Sequence, residues 1–468
     1  MTAAERARAT GRSSGAGRLL VISYHFGLDG ATGGFRWAAT TNGLVARGWE
    51  IDVITAAQSA AGVAVSELVC VPAVTWPMSV LDATLKVPRG LVRWLRARRQ
   101  PPVTSVATAE KPSGDAVAFA DIEMPAGALS LPSRFSRLVD GLVTMCEHRL
   151  WARRAVQAGA RLARRHAYDA VIVSSPPHEH HVAGLTLARL WRVPCLADFR
   201  DPWALALPHG FADIPATYNR LAERLERRIH REATVVVHNT GPVREAIATI
   251  PGCVAKRRAS IPNGYDDAPE ADTPPAAETF EIVFAGHIYG FMDVRVLLRA
   301  VRTFLTDSRI DRSKVRLTFL GTPATLWERP FAEILAHYGL RDCASIRERV
   351  NRSEALTIQR RAAVLVVFDY PHPLSVPMKF YDYLQSGGEL LLFSRPGSAL
   401  ALAASKVDRT VVEPEDAAGA VAVLHRAWEK WSQCAFPTHQ DPHGVHHRRE
   451  RIAEVDALLR ELTGAERA

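Results

Sequence analysis

Two apolar runs of strand length, residues 364–368 and 390–393, constrain the fold of this chain more than any other feature. The segment between them, V-P-M-K-F-Y-D-Y-L-Q-S-G-G, predicts a short helix opened by proline and closed by glycine. Strand, helix and strand in this order form a βαβ unit of a parallel sheet. Lys379 and Asp382 lie on that helix near the carboxyl end of the first strand, where open parallel sheets bind ligands. The pair predicts contacts to phosphate and to a ribose or sugar diol; the alternative is an ordinary surface ion pair.

The bulk composition limits the class of protein. The 468 residues, 47% of them hydrophobic, suffice for two or three domains. The net charge of +9 favours an anionic partner, but no zinc finger, RNP motif or concentrated basic arm is present, so we expect no nucleic acid. The six scattered cysteines indicate free thiols of a reducing compartment. Residues 1–17 predict a disordered tail without a signal sequence, and no apolar run reaches membrane-span length, so we expect a soluble, cytoplasmic protein.

The N-terminal part begins with an alternation of strands and helices. Residues 18–24 predict a buried strand, residues 35–47 a helix and residues 49–55 the next strand, which is a Rossmann-like opening. The loop before the helix is rich in glycine but lacks the G-x-G-x-x-G spacing of dinucleotide sites. Gly33 and Gly34 would let the backbone approach a diphosphate or a sugar; alternatively, glycine serves the turn geometry alone.

Two neighbouring strands of this part end in polar loops that contain proline. Residues 168–173 are followed by S-S-P-P-H-E-H-H and residues 193–197 by D-F-R-D-P-W, and both loops would lie at the ligand edge of the sheet. The adjacent His180 and His181 would point apart on a helix and lack a third spaced ligand, so we expect a hydrogen-bonding role for His181 rather than a metal site. The aspartates beside Arg200 either serve the site or only fix its guanidinium group.

The remaining segments complete the organisation of the chain. Residues 79–99 form a basic amphipathic segment, which predicts either a membrane-surface helix or a cleft-lining helix with a solvated basic face. Residues from about 100 to 128 are rich in Pro, Ala and Ser and predict a mobile insertion. Strand and helix patterns resume at residue 280, and residues 448–463 predict a terminal helix. The histidines between positions 439 and 447 predict an exposed loop.

Several of these strings together resemble one group of enzymes. P-x-K-x-x-(D/E)-Y-L-x-x-G after a buried strand is similar to the donor-binding signature of GT-B glycosyltransferases related to family 4. The strings G-G-x-R, S-S-P-P, D-F-R-D-P-W and P-N-G-Y-D are similar to the N-terminal half of that group. The resemblance implies an α/β, GT-B fold in which two Rossmann-like domains, residues 18–267 and 280–440, face across a cleft. Residues 268–279 would be the linker, and a C-terminal helix within residues 441–468 would cross back to the first domain.

The resemblance also implies site residues. The donor-binding residues would be Gly33, Gly34, Arg36, Gly286, His287, Arg352, Lys379 and Asp382, with Asp382 holding the ribose. The acceptor-side residues, with catalytic roles, would be His181, Arg200 and Asp201. Two departures from the group matter. The first of its paired glutamates falls on Leu374, and the loop after residue 286 lacks the cations that hold the donor diphosphate, so we expect His287, Arg295, Arg352 or Lys379 to replace them.

The function expected from the resemblance is transfer of a sugar from a nucleotide-diphospho-sugar to an acceptor hydroxyl of a glycan, a lipid-linked glycan or a natural product. Retention of configuration is implied, and no D-x-D triplet suits a metal-bridged diphosphate, so we expect neither a metal nor a cofactor beyond the nucleotide-sugar co-substrate. Membrane contact through residues 79–99, peripheral on the inner face, remains open. Two other functions also remain open: a catalytically silent GT-B scaffold of a partner transferase, and a nucleotide-sugar epimerase.

Overall fold

The structure is a computed structural model that describes residues 16–27, 32–74, 131–206, 216–266, 278–290, 292–327, 329–435 and 439–465. The predictions for the tail, for residues 79–99 and 100–128 and for most of the linker lie outside these residues.

The strands of the described residues follow the apolar, β-branched runs of the sequence. In chain order they are β1 (Gly17–Ser23), β2 (Trp49–Thr55), β3 (Glu67–Cys70), β4 (Ala170–Ser175), β5 (Cys195–Phe199), β6 (Val235–His238), β7 (Arg258–Ser260), β8 (Phe280–Ala285), β9 (Val315–Leu320), β10 (Thr325–Leu326), β11 (Arg329–Pro330), β12 (Ala344–Arg347), β13 (Val364–Phe368) and β14 (Glu389–Phe393).

The helices connect these strands and cover the sheets. In chain order they are α1 (Thr32–Val45), α2 (Leu131–Leu162), α3 (His181–Trp191), α4 (Ala216–Glu232), α5 (Gly241–Ala248), α6 (Arg295–Phe304), α7 (Phe331–His337), α8 (Arg352–Arg361), α9 (Met378–Tyr383), α10 (Ala399–Ser405), α11 (Ala417–Ser432) and α12 (Arg448–Thr463). Single 3-10 turns lie at His178–His180 and Arg312–Lys314. No helix of the described residues is both long and apolar enough to cross a membrane.

Two parallel sheets form the framework. The first has the order β3-β2-β1-β4-β5-β6-β7 and the second the order β12-β9-β8-β13-β14. In the first, Val21 pairs with Val53 on one side and with Ile172 on the other. Both faces of each sheet are packed against apolar side chains, which is why the strands read as continuous apolar runs rather than as an alternation.

The predicted terminal helix crosses back onto the first domain. Its Ile452, Val455 and Leu459 are buried in the same core as β1 and α1. The side chain of Ile452 lies so close to α1 that a β-carbon on Gly43 would stand 2.5 Å from its Cδ1 atom. Trp49 donates a hydrogen bond from Nε1 to Asp456 at 2.7 Å. The C-terminal helix therefore ties the last residues of the chain to the first sheet.

Two sequence-based expectations differ from the structure. Helix α1 begins at Thr32, so Gly33 and Gly34 lie in its first turn and not in the preceding loop. Glycine is tolerated there because the first N–H groups of a helix have no intrahelical partner in any case. The loop before α12 is exposed at His439 and His443 but buries His446 and His447. The Nε2 atom of His446 contacts the carbonyl oxygen of Ala403 at 2.9 Å.

Candidate functional site

The donor side of the candidate site is built where β8 ends. Gly286 follows this strand with a backbone φ of +118°, which residues other than glycine rarely adopt. A β-carbon at this position would lie 3.4 Å from Nζ of Lys379. The Lys379 ammonium group stands 3.7 Å from the centroid of the Phe284 ring. Burial lowers the pKa of Lys379 to about 7. Among the described residues, no carboxylate forms an ion pair with this ammonium group.

Asp382 lies on the same short helix but has a partner. Its carboxylate accepts hydrogen bonds from both terminal nitrogens of Arg352, at 2.7 and 3.3 Å, and the Asp382 side chain is only 14% exposed. Burial raises the pKa of Asp382, although the charge of Arg352 opposes the rise. Asn351 caps α8 by accepting from the Glu354 amide at 2.9 Å, which fixes where Arg352 begins the helix. A ribose bound at Asp382 would share the carboxylate with Arg352.

The first turn of α1 meets this ion pair. Two guanidinium groups lie over the ring of Phe35. The Cζ atom of Arg352 is 4.5 Å from the ring centroid and that of Arg448 is 4.9 Å from it. The neighbouring Gly34 is packed so tightly that a β-carbon would come within 3.0 Å of the Phe26 nitrogen. The first turn of α1, which contains the predicted glycines, therefore lies close to Arg352 and Asp382. His287, another predicted donor-binding residue, is exposed in the loop after β8, where its ring lies edge-on to Tyr289.

Arg36, a predicted donor-binding residue, is buried, and its guanidinium group is held by groups of the first domain. It is 7% exposed, and its terminal nitrogens donate to Asp198, to the side chain of Asn263 and to the carbonyl groups of Pro262 and Ile261, at 2.8 to 3.1 Å. Strand β5 extends to Phe199, which puts Asp198 inside the sheet rather than in the loop. The buried carboxylate needs a cation, and Arg36 supplies it, so the guanidinium group holds the P-N-G turn.

On the acceptor side, Arg200 and Asp201 follow β5. Asp201 accepts from Nη2 of Arg200 at 2.7 Å and from Nε at 3.2 Å, while Nη1 of Arg200 is buried without a partner among the described residues. The Asp201 side chain is 46% exposed. The aspartate that fixes the Arg200 guanidinium group is therefore Asp201, whereas Asp198 serves Arg36.

A loop of the second domain stands opposite this ion pair. Tyr370 and His372, which follow β13, stack with ring centroids 5.4 Å apart and planes at 6°. Burial raises the pKa of Tyr370 to about 12, and the charge of Asp201 adds to the rise. Burial also lowers the pKa of His372 to about 4, against the effect of Asp201. The sequence reasoning missed both side chains, and the only available signal was their place after a predicted strand.

His181 lies behind these groups in the core. It is 1% exposed, its Nδ1 atom contacts the His178 carbonyl oxygen at 2.9 Å, and its ring stacks on Phe199 at 4.6 Å. The predicted hydrogen bond is present, but the imidazole does not reach the surface of the site.

A pocket of about 240 Å³ opens at the end of β1, and Tyr24 and His25 are among the residues that line it. No group of three metal-ligating side chains occurs in the parts of the chain described above.

Comparisons with known proteins bear on the family and the fold of the chain. Residues 86–264 match the family described as glycosyl transferase 4-like domain. Sucrose-phosphate synthase from Thermosynechococcus elongatus is 14% identical, with a TM-score of 0.59 over 96% of this chain and 100% of that one. A glycosyltransferase from Rickettsia africae is 10% identical, with a TM-score of 0.55 over 96% and 99%. Anabaena HepE in complex with UDP-glucose is 12% identical, with a TM-score of 0.53 over 96% and 100%. No curated protein matches by sequence.

The family match confirms the resemblance seen in the sequence motifs, and the structural matches confirm the GT-B fold over the length of the chain. Residues 86–264 of the chain therefore match the glycosyl transferase 4-like domain, and the chain has the fold of solved GT-B glycosyltransferases.

Proposed function

We propose that the protein transfers a sugar from a nucleotide-diphospho-sugar to an acceptor hydroxyl, with retention of configuration and without a metal ion. The observation that carries the proposal is the Lys379 ammonium group, which lies beside Gly286 and has no carboxylate partner in the part of the chain that the structure describes. A diphosphate placed there would supply the missing anion. As the sugar leaves, negative charge grows on that diphosphate, and a cation already in position stabilises it in the transition state.

The other residues take supporting roles in this proposal. Asp382, with Arg352 beside it, accepts hydrogen bonds from the ribose, and the backbone at Gly286 leaves room for the phosphates. The departing phosphate takes the proton of the acceptor. Arg200 and Asp201 orient that acceptor, because Asp201 is partly exposed and Nη1 of Arg200 has no hydrogen-bond partner among the residues that the structure describes. The HepE complex with UDP-glucose makes a uridine donor the first one to test.

The test is titration calorimetry with UDP, GDP, TDP and their sugars, followed by product analysis with acceptor panels. We expect one nucleotide sugar to bind and to be hydrolysed slowly or transferred. Lys379→Met should abolish diphosphate binding, whereas Lys314→Met, which removes an exposed lysine from the second domain, should leave it unchanged. Binding of no nucleotide sugar would favour a silent scaffold, and an epimerised donor without transfer would favour an epimerase; either result would overturn the proposal.

A membrane-bound acceptor would require a surface contact, and residues 79–99 are the segment we propose for it. Its leucine and arginine pattern supports binding to anionic lipid. Co-sedimentation with vesicles of phosphatidylcholine and phosphatidylglycerol should retain the protein at low salt, and a variant with Arg93, Arg96 and Arg98 changed to Glu should remain in the supernatant. Equal sedimentation of both proteins would rule out this contact.

A further inference from the structure

The loop between β13 and α9 leaves its own domain and contacts the other one. At its tip, Leu374 packs against an apolar cluster of the N-terminal domain. The buried members of this cluster, which we call the socket, are Leu205, Val243, Ile247 and Cys253, with Ala206 and Ile250 at its edge. The side chain of Thr240 donates a hydrogen bond to the Leu374 carbonyl oxygen at 2.5 Å. Leu374 thus makes both an apolar and a polar contact across the domain boundary.

The base of the loop is held by its own domain. Asp369 accepts a hydrogen bond from the Ser394 hydroxyl and another, at 2.8 Å, from the Tyr370 amide. The Ala399 amide donates to the Pro373 carbonyl oxygen at 2.8 Å. The Leu374 amide itself donates to Nδ1 of His372 at 3.3 Å. These bonds tie the loop to its own domain, so the position of the tip in the socket is coupled to the position of that domain.

The socket is also held rigidly. Thr240 caps α5, since its hydroxyl oxygen accepts from the Val243 amide at 3.3 Å, and Val243 and Ile247 of that helix are buried. At the other wall, the Leu205 amide donates to the buried carboxyl group of Glu226 at 2.8 Å. The same loop that enters the socket carries Tyr370 and His372, within electrostatic reach of Asp201. Seating of the tip therefore holds the loop between β13 and α9 beside the Arg200–Asp201 pair.

The position is the one where the resembling transferases carry the first of their two glutamates. In this chain the position holds a partly buried leucine that packs against apolar side chains of the other domain, an environment that suits an apolar side chain better than a carboxylate. Lys379 and Asp382, by contrast, are held within the second domain and do not depend on the socket for their positions.

We propose that Leu374 is a positioning residue of the transfer reaction: by filling the socket it holds the two domains in the relative position at which donor and acceptor meet. This inference rests on the proposed function for its kinetic consequence, but the contact itself can be tested without any substrate. Loss of the leucine side chain should separate the domains, leave donor binding nearly intact and slow transfer, since a small misplacement of the reacting groups is enough to reduce the rate.

The experiment uses the full-length protein and three variants. Leu374→Ala empties the socket, Leu374→Met refills it with a similar volume, and Leu402→Ala removes a leucine that is 49% exposed elsewhere in the second domain. We expect Leu374→Ala to lower kcat by about tenfold or more while the donor Kd changes by less than about twofold, and Leu374→Met to restore most of the rate. Leu402→Ala should match the parent protein.

Small-angle X-ray scattering of the same proteins without substrate supplies the second readout. The radius of gyration of Leu374→Ala should exceed that of the parent and of Leu374→Met. An unchanged radius of gyration, or a donor Kd that weakens in parallel with kcat, would overturn the inference. If no nucleotide sugar binds the parent protein, the proposed function fails, whereas the scattering comparison still decides whether Leu374 holds the domains together.

Discussion

At the scale of single residues, the site depends on ionisable groups whose surroundings differ within a few ångströms. Lys379 and Asp382 lie on one turn of α9, yet Asp382 has a guanidinium partner, whereas Lys379 lies against an aromatic ring and has no carboxylate partner among the described residues. Burial of an unpaired ammonium group disfavours its charged form, so the protonation of such a group responds to a bound anion. Two predictions belong to this scale.

The affinity for the donor diphosphate should fall as the pH rises above 7. The pKa of Lys379 is lowered to about 7 by burial, so the ammonium form is lost above that pH, and a bound diphosphate, which needs the charged form, must take up a proton. We expect a decline of up to about tenfold per pH unit between pH 7 and 9. Calorimetry in buffers of different ionisation enthalpy measures both the affinity and the proton uptake.

Lys379→Arg is the control for this pH dependence, because a guanidinium group stays charged throughout the range. Its affinity profile should be flat between pH 7 and 9. Parallel profiles for the parent and Lys379→Arg would assign the titration to another group.

Glu226→Gln should make the free energy of unfolding less dependent on pH. Glu226 is 1% exposed, and burial raises its pKa to about 8, against the effects of the Leu205 amide and Arg227. The folded state therefore retains a proton that the unfolded state releases above a pH of about 4.5, so stability falls as the pH rises from there to 8, by up to about 1.4 kcal/mol per pH unit. Urea unfolding at pH 5.5, 7 and 8.5 should show this slope in the parent and not in Glu226→Gln.

Glu223→Gln, one turn earlier on α4, is the matched control, since the Glu223 side chain is 32% exposed. It should keep the slope of the parent protein. The same slope in Glu226→Gln would show that the Glu226 carboxyl group is not protonated in the folded state.

At the scale of elements, the helices lie close to their sheets where small residues allow it. Helix α3 approaches β4 through Gly184, at which a β-carbon would stand 2.0 Å from a methyl group of Val173. This approach places the 3-10 turn at His178–His180 directly after β4 and buries its three side chains. The position of the acceptor-side loop is therefore set by the packing of α3.

Gly184→Ala should destabilise the protein by about 1–3 kcal/mol, because the added methyl group forces α3 away from the sheet. Gly241→Ala is the control, since a β-carbon there meets only the Glu245 carboxylate at an ordinary 3.9 Å. The free energy of unfolding in urea is the measurement. Equal values for the two variants would mean that α3 can shift without loss of packing.

At the scale of the whole molecule, several contacts among the described residues join the two domains. They include the socket that receives Leu374, the Phe35 ring between two guanidinium groups, and α12, which crosses back to the first sheet. Arg448 contributes to two of them. It is 3% exposed, stacks on Phe35, and donates to Asp266 at 2.6 Å and to the Gly264 carbonyl oxygen at 2.5 Å.

Arg448→Met should destabilise the protein by about 1–3 kcal/mol, since it leaves a partly buried carboxylate and a buried carbonyl group without their donor. Hydrogen exchange in residues 448–463 should increase as well. Arg449→Met, its neighbour with a side chain 66% exposed, should change neither quantity. Unchanged exchange in Arg448→Met would show that the apolar face of α12 alone fixes the helix.

The amino-acid sequence was sufficient for features that depend on neighbouring residues. The strand Val364–Phe368 and the terminal helix Arg448–Thr463 were predicted at their observed bounds, because apolar runs and helical periodicity are local patterns. The motif around Lys379 and Asp382 likewise predicted a βαβ unit with these residues at the ligand edge of the sheet, and its resemblance to a known donor-binding signature indicated the GT-B fold.

Only the tertiary structure decided which side chains meet. In the structure, Arg36 pairs with the buried Asp198, and Arg352 pairs with Asp382. Leu374 packs into the socket of the other domain. These partners are separated by 30 residues or more in the sequence, and no local pattern favours one cation or one apolar pocket over another. Burial and the relative position of the two domains select them, because a buried charge must be paired and an apolar side chain at a domain boundary must be covered.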